Sequence, residues 1–275
     1  MYPSTTSGTA NLAYQTGQAT VQAIKPFGDP DLDACLSGGL QTNALHEVRS
    51  VLVRDFASAA GFALGLVTQF VRSRSSKVFW VLDPASSLDT GTPFPDGLSQ
   101  HGIDPKAITF VRPITLQDAL WATDQAAKCS DITAVIFQVR GNPKRFDMTA
   151  TRRLMLRARE SGVMVCVLRH SGEEEASAAA TRWQVEVMPS IPDPGFANGL
   201  GVVRHKLTLE RNRTGSNGQW TLTWNPKIRA FENGTPLNDT PQQTATHSVT
   251  GLHAPADRPD SQTEVGQVLG FERTS

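Results

Sequence analysis

The chain has 275 residues, a formal net charge of zero and 39% apolar residues. That length admits one large domain or two small ones, and the apolar share is slightly low for a chain folded throughout. No run of about eighteen apolar residues occurs, so no membrane-spanning helix is expected, and residues 1–20 lack the basic and apolar regions of a signal peptide.

Residues 1–25 are rich in Thr, Ser, Gln and Gly and are expected to be flexible. Residues 26–39 read as turns with one short helical piece at 32–36. The first strand is expected at 44–53, its far end exposed. A helix follows over 55–72, with Asp55 as N-cap and Phe56, Ala60, Ala63, Leu64 and Val67 on its inner face. An apolar run at 77–82, stopped by Pro84, reads as a buried parallel strand. Residues 85–96 read as a loop, 97–101 as a short helix and 108–111 as a strand. Residues 115–128 form a helix capped by Thr115. A strand at 132–139 leads to a helix at 148–161, which Gly162 ends, and a fifth strand occupies 163–168. Strand and helix alternate, which predicts a right-handed, mostly parallel α/β sheet. Beyond Gly172 the character changes: residues 177–181 give way to 182–188, a Pro/Gly loop spans 189–201, and two alternating runs follow at 203–211 and 219–225. The last two flank the turn signal 213–218, an antiparallel hairpin added to the parallel core. From Glu232 onward six acidic residues face two basic ones, so that tail carries −4 and residues 1–231 carry +4. Residues 232–275 are expected to be a disordered acidic tail after a folded domain over 26–231.

The three cysteines, Cys35, Cys129 and Cys166, are odd in number and far apart, which fits reduced thiols in a cytoplasmic protein. The six histidines have no metal-ligand spacing, and no metal or cofactor is expected. The junction of first strand and first helix carries the most information. In a phosphate-binding loop it would read G-x-x-x-x-G-K-[ST]. From Ser50 this chain reads Ser-Val-Leu-Val-Arg-Asp-Phe-Ala. Both glycines are missing, Phe56 stands in the lysine position and Ala57 in that of the magnesium-binding hydroxyl. Asp55 would repel the phosphate that a helix start attracts. The Gly38-Gly39 pair precedes the strand and reads as a backbone turn. The strand at 132–139 ends in Gln138-Val139-Arg140, with no carboxylate for magnesium. Asp83 reads as a turn acid before Pro84, and Glu47 as a surface or paired carboxylate or a remnant of an active site.

Leu32-Asp33-x-x-Leu36-Ser37-Gly38-Gly39-Leu40 and Ala44-Leu45-His46-Glu47-Val48 resemble the RecA-like superfamily, and within it the ImuA family. Leu120-Trp121-Ala122, Thr151-Arg152-Arg153-Leu154, Ala178-Ala179-Ala180-Thr181-Arg182-Trp183 and Leu209-Glu210-Arg211-Asn212-Arg213-x-Gly215 match in the same order. The resemblance spans residues 31–224. It implies a RecA-like sheet flanked by helices, and a part in damage-induced mutagenesis. The implied partners are ImuB, an inactive Y-family polymerase relative, and an error-prone DnaE-type polymerase, with RecA a further candidate. The role expected is that of a non-catalytic adaptor in SOS-induced translesion synthesis. A divergent, DNA-stimulated ATPase drawing on Lys77 or Lys144 is one alternative, and a SulA-like inhibitor of cell division is another.

Between Arg140 and Glu160 seven basic residues face two acidic ones. Arg152, Arg153 and Arg157 on that helix, with Arg211 and Arg213 at the hairpin turn, are candidate contacts for DNA or a protein partner. A solvated helix face and protection of an edge strand are the competing readings. DNA binding is expected to be weak and salt-sensitive. Trp183, Trp220 and Trp224 read as core and edge packing. In the tail, Gln267, Leu269 and Phe271 have the spacing of a short clamp-docking peptide.

Overall fold

The computed structural model describes residues 24–71, 76–191 and 201–234. The expectations for 1–23 and 235–275, including Gln267, Leu269 and Phe271, lie outside them. In chain order the described elements are β1 (Ile24–Lys25), α1 (Pro30–Cys35), β2 (Leu40–Gln41), β3 (Leu45–Ser50), α2 (Phe56–Thr68), β4 (Val78–Leu82), α3 (Pro84–Thr90), α4 (Pro95–Gln100), β5 (Ile108–Val111), α5 (Leu116–Lys128), β6 (Ala134–Arg140), α6 (Met148–Ser161), β7 (Met164–His170), β8 (Thr181–Ile191), β9 (Val202–Asn212), β10 (Gly218–Asn225) and β11 (Ala230–Asn233). None of these helices is long and apolar enough to cross a membrane.

Nine strands form one sheet in the order β11-β10-β9-β8-β3-β7-β6-β4-β5. Strands β8, β3, β7, β6, β4 and β5 pair in parallel, and β8 to β11 pair antiparallel. This is the RecA-like α/β architecture with its antiparallel extension. Helix α2 covers one face of the sheet, packing Phe62, Leu66 and Val67 against Val48, Ile136, Leu168 and Trp183. Helices α5 and α6 cover the other face over β3, β6 and β7, burying Ala119, Ala127, Leu154 and Ala158 against Val135, Val165 and Val167. The parallel strands are apolar on both faces because both are covered.

Several boundaries differ from the sequence reading. The first strand ends at Ser50 with all six of its residues buried. Val51, Leu52 and Val53, read as its continuation, form an exposed turn. Residues 85–90 of the expected loop belong to helix α3. Pro84 opens it, and Asp83 accepts the Ser86 amide at 3.2 Å as its N-cap. Helix α4 begins at Pro95 and α2 ends at Thr68. Strand β8 runs on to Ile191, and β11 is a further strand beyond the expected hairpin. Gly162 ends α6 in the left-handed region, φ 81°.

Strand β8 lies on the far side of β3 from β7, so the chain must cross over β3 between them. Residues 171–180 make that crossing without a helix or strand. Underneath, Glu47 of β3 accepts Arg169 Nε of β7 at 2.9 Å and Arg182 Nε of β8 at 3.0 Å. Ser177 of the crossing donates to Glu47 at 3.1 Å, and Arg169 also reaches Glu175 at 3.0 Å. Arg182 further bonds the Glu175 carbonyl and the Ser177 hydroxyl. Next to them Arg49 pairs with Glu210 of β9 and donates to the Gly172 carbonyl. Burial raises the Glu47 pKa, but the two guanidiniums outweigh it and hold the carboxyl below its usual value.

Two consequences are measurable. Glu47→Gln removes the buried counter-charge of two guanidiniums, leaving them only the more exposed Glu175 and Glu174, and should cost about 3 kcal/mol in urea denaturation. The Glu47 contribution is present above the ordinary carboxylate pKa and is lost as pH falls through the lowered native value. Gly65 of α2 sits where a Cβ would come within 2.6 Å of Phe231 Cζ of β11. Gly65→Ala should therefore destabilise by about 1–3 kcal/mol through overpacking, read as a lowered melting temperature.

Candidate functional site

Nucleotides in open α/β sheets bind at the carboxyl ends of the parallel strands. Here those ends are Ser50, Leu82, Arg140 and His170. After Ser50 the turn Val51-Leu52-Val53 is 45%, 46% and 60% exposed, so three apolar side chains face solvent where a phosphate turn would stand. A single 3-10 turn, Val53–Asp55, leads into α2. Asp55 occupies the N-cap position but does not cap. Its buried carboxylate accepts the Val187 amide of β8 at 3.1 Å, tying the helix start to the antiparallel wing. Phe56 sets its ring edge against His170, with centroids 5.2 Å apart. Ala57 is exposed beside it.

Behind this turn lies a closed polar network. Gln138 accepts the Trp80 indole N–H at 3.0 Å and donates to Ser86 Oγ at 3.0 Å and Thr90 Oγ1 at 2.8 Å. Its amide is thus committed on both sides, at the strand end where a magnesium ligand would need a free carboxylate. Ser86 Oγ, which accepts from Gln138, also lies 3.0 Å from His170 Nε2. Burial lowers the His170 pKa despite Asp89 and Asp83, which favours the neutral ring. A Ser–His contact of this kind serves nucleophilic catalysis only if the hydroxyl is reachable. Ser86 is 0% exposed, which removes it from any substrate. A groove of about 390 Å³ adjoins the network, lined by Phe56, Ala60, Leu64, Phe94 and Leu98. Among the described residues no Lys or Arg lines it. Lys77 precedes β4 and so stands at the opposite end of the sheet, and Lys144 is exposed in the turn after β6.

The motif residues His46 and Glu47 are structural. His46 Nε2 donates to the Gln41 carbonyl at 2.7 Å and Nδ1 accepts from Thr181 Oγ1 at 2.8 Å, which fixes a neutral ring. The Gly38-Gly39 turn has φ of 107° and 133°, a conformation that favours glycine.

The candidate arginines separate into two groups. Arg153 Nε meets Asp124 of α5 at 3.1 Å and Arg157 Nε meets it at 3.7 Å, with a second contact from Arg157 to Glu160 at 3.0 Å. These two share a helical face, as their spacing indicates, and hold α6 to α5. Arg152 is exposed on another face. Arg211 and Arg213 lie at the end of β9. Their turn docks on α1 through Ser37 Oγ to the Thr214 carbonyl and Asn212 Nδ2 to the Cys35 carbonyl, each 2.9 Å. A cleft beside α5 contains Trp121, 64% exposed, with Leu120, Arg145 and Arg153. The sequence reading used Trp121 only as a motif residue, since its exposure depends on which face of α5 meets the sheet. Trp183 and Trp224 are buried and Trp220 partly so, all within the core between sheet and α2.

No family model matches the chain. Two proteins named Protein ImuA, from two strains of Caulobacter vibrioides, are each 30% identical to it over 223 residues. The match covers 76% of this chain and 86% of each relative.

Three buried histidines define a pH response. Burial lowers His46, His101 and His205 to about 4. Their unfolded counterparts take up protons near pH 6.5, so the unfolded state binds more protons between about 6.5 and 4. Stability should fall as pH drops through that window, seen as a declining melting temperature between pH 7 and 5. Replacing His205 by Gln, which can still accept from Ser58, should shrink that decline.

Proposed function

Because the chain belongs to the ImuA family, we propose that it serves SOS-induced, error-prone translesion DNA synthesis as a non-catalytic adaptor. The family name supports the broader role in damage-induced mutagenesis. The adaptor reading has its own support at the carboxyl ends of the strands. Where a triphosphate would need a glycine-rich cradle and a lysine, the chain presents Val51, Leu52 and Val53 to solvent and turns Asp55 into a brace on β8. An exposed apolar patch of this kind suits a protein partner better than an anion. The partners in this reading are an ImuB-like inactive Y-family polymerase relative and an error-prone DnaE-type polymerase, with RecA as a third candidate, all in the cytoplasm. Of the two lysines the ATPase alternative draws on, Lys77 stands at the other end of the sheet, and Lys144, in the turn after β6, is exposed and does not line the groove beside α2.

Calorimetric titration with ATP and magnesium should give no saturable heat. A Kd in the micromolar range, about −8 kcal/mol, would overturn the adaptor reading. Val53→Asp, made on an exposed side chain, should leave the melting temperature within about 2 °C of the parent, as surface substitutions do. The same change should cut co-purification of the ImuB-like partner at least about tenfold, the equivalent of about 1.4 kcal/mol.

A further inference from the structure

Helix α6 carries its arginines on two different faces. Arg153 and Arg157 turn toward Asp124, a carboxylate they share with Lys128, and Arg157 also pairs with Glu160. Arg152, Leu156 and Arg159 follow one another at steps of four and three, one stripe along the helix, and all three are exposed. Arg152 and Arg159 have no ion pair among the described residues.

The second half of the surface comes from an irregularity in β9. Arg182 of β8 pairs with Arg211 and Trp183 pairs with Leu209, so Glu210 is an extra residue opposite the β8 backbone. A bulge of this kind re-aims the side chains that follow it. Leu207 and Leu209 face α2. Without the bulge Arg211 would face α2 as well. With it, Arg211 takes the side of its partner Arg182, which is the α6 side, and Asn212 turns back to bond α1. Arg213 then returns to the α6 side, its amide bonded to the Ala180 carbonyl at 3.0 Å. Ala180 in turn donates to the Leu45 carbonyl at 2.8 Å, and the Leu45 amide meets Met155 Sδ of α6 at 3.3 Å. Arg159 lies one turn beyond Met155 on the same face. Helix and hairpin thus bring Arg159, Arg211 and Arg213 together at the amino ends of the parallel strands. Arg211 Nε is buried without a hydrogen-bond partner among the described residues. Burial, and then the charges of Arg211 and Arg159, depress the Arg213 pKa, as a cluster of like charges without a counter-ion requires.

We propose that Arg152, Arg159, Arg211 and Arg213 form one track that binds the phosphodiester backbone of DNA. The planar forks of guanidinium suit phosphate oxygens, and no carboxylate pairs with these four among the described residues. Among the described residues Leu156 is the one exposed apolar side chain in the α6 stripe, too little for the aromatic and apolar anchors of a protein interface. With no stacking platform or base-reading group in the track, the binding is independent of sequence. This assignment does not depend on the adaptor reading and places the contact away from Arg153 and Arg157.

The test is fluorescence anisotropy of the full chain with a labelled 20-base-pair duplex and its separated single strand, from 25 to 200 mM salt. Binding should weaken with log[salt] at a slope of about −3 to −4 for the duplex, one counter-ion per arginine. Arg159→Gln with Arg213→Gln, both on exposed side chains, should reduce affinity at least tenfold and lower the slope by about 2. Arg153→Gln with Arg157→Gln should change affinity less than twofold. Loss of binding in the Arg153/Arg157 variant equal to that in the Arg159/Arg213 variant would overturn the proposal. So would an undiminished affinity in the latter, no binding at 25 mM salt, or a preference for a polyglutamate peptide over both DNA probes.

Discussion

Glu47 sits at the centre of the sheet with one carboxylate oxygen on Arg169 and the other on Arg182, tying β7 and β8 to β3 from either side. The crossing from β7 to β8 has no helix, and its apolar contribution is the short run Ala178, Ala179 and Ala180 at its end, buried in the core. The rest of its anchorage is polar: Glu175 and Ser177 on the two arginines, and Gly172 on Arg49. A charge cluster buried this deeply loses solvation that only complete pairing offsets. It therefore selects one geometry, in which β8 is in register with β3. Everything beyond β8 is hung on that register, since β9, β10 and β11 each pair only with strands of the wing.

The parts of the fold legible in the sequence are those governed by local periodicity. The apolar runs of β4, β6 and β7 and the helical spacing in α2, α5 and α6 each specify an element on their own. Elements that depend on something else were missed. The residues of α3, PASSLDT, have no apolar stripe, and the Asp83-Pro84 pair that starts the helix also looks like the stop of the preceding strand. The four residues of β11 gain their strand from pairing with β10 and from Phe231 packing on α2. The overlong first strand came from Val51, Leu52 and Val53, apolar residues that suit a strand and here face water.

The same distinction applies to the site. Loss of the phosphate turn is a matter of eight consecutive residues, so it reads directly from the chain. The Glu47 pairing joins residues 122 and 135 positions apart and leaves no local trace. The arginines of α6 are visible as a group, but sorting them needs the position of Asp124 on a neighbouring helix. Arg159 was passed over for that reason. The side taken by Arg211 turns on one unpaired residue in a ladder, which an alternating pattern does not display. The two surfaces that result are at opposite ends of the parallel strands, an apolar one past Ser50 and a basic one before Leu45.

The outermost strands, β5 and β11, are each four residues long. An open rim that short offers at most two or three ladder bonds to an incoming extended segment, too few to hold one. Growth of the sheet by edge addition is accordingly discouraged at both margins of the described chain. Any larger assembly built around this scaffold has to be held through side chains on its helices and turns, which makes its contacts reversible by single substitutions in a way that a shared backbone ladder is not.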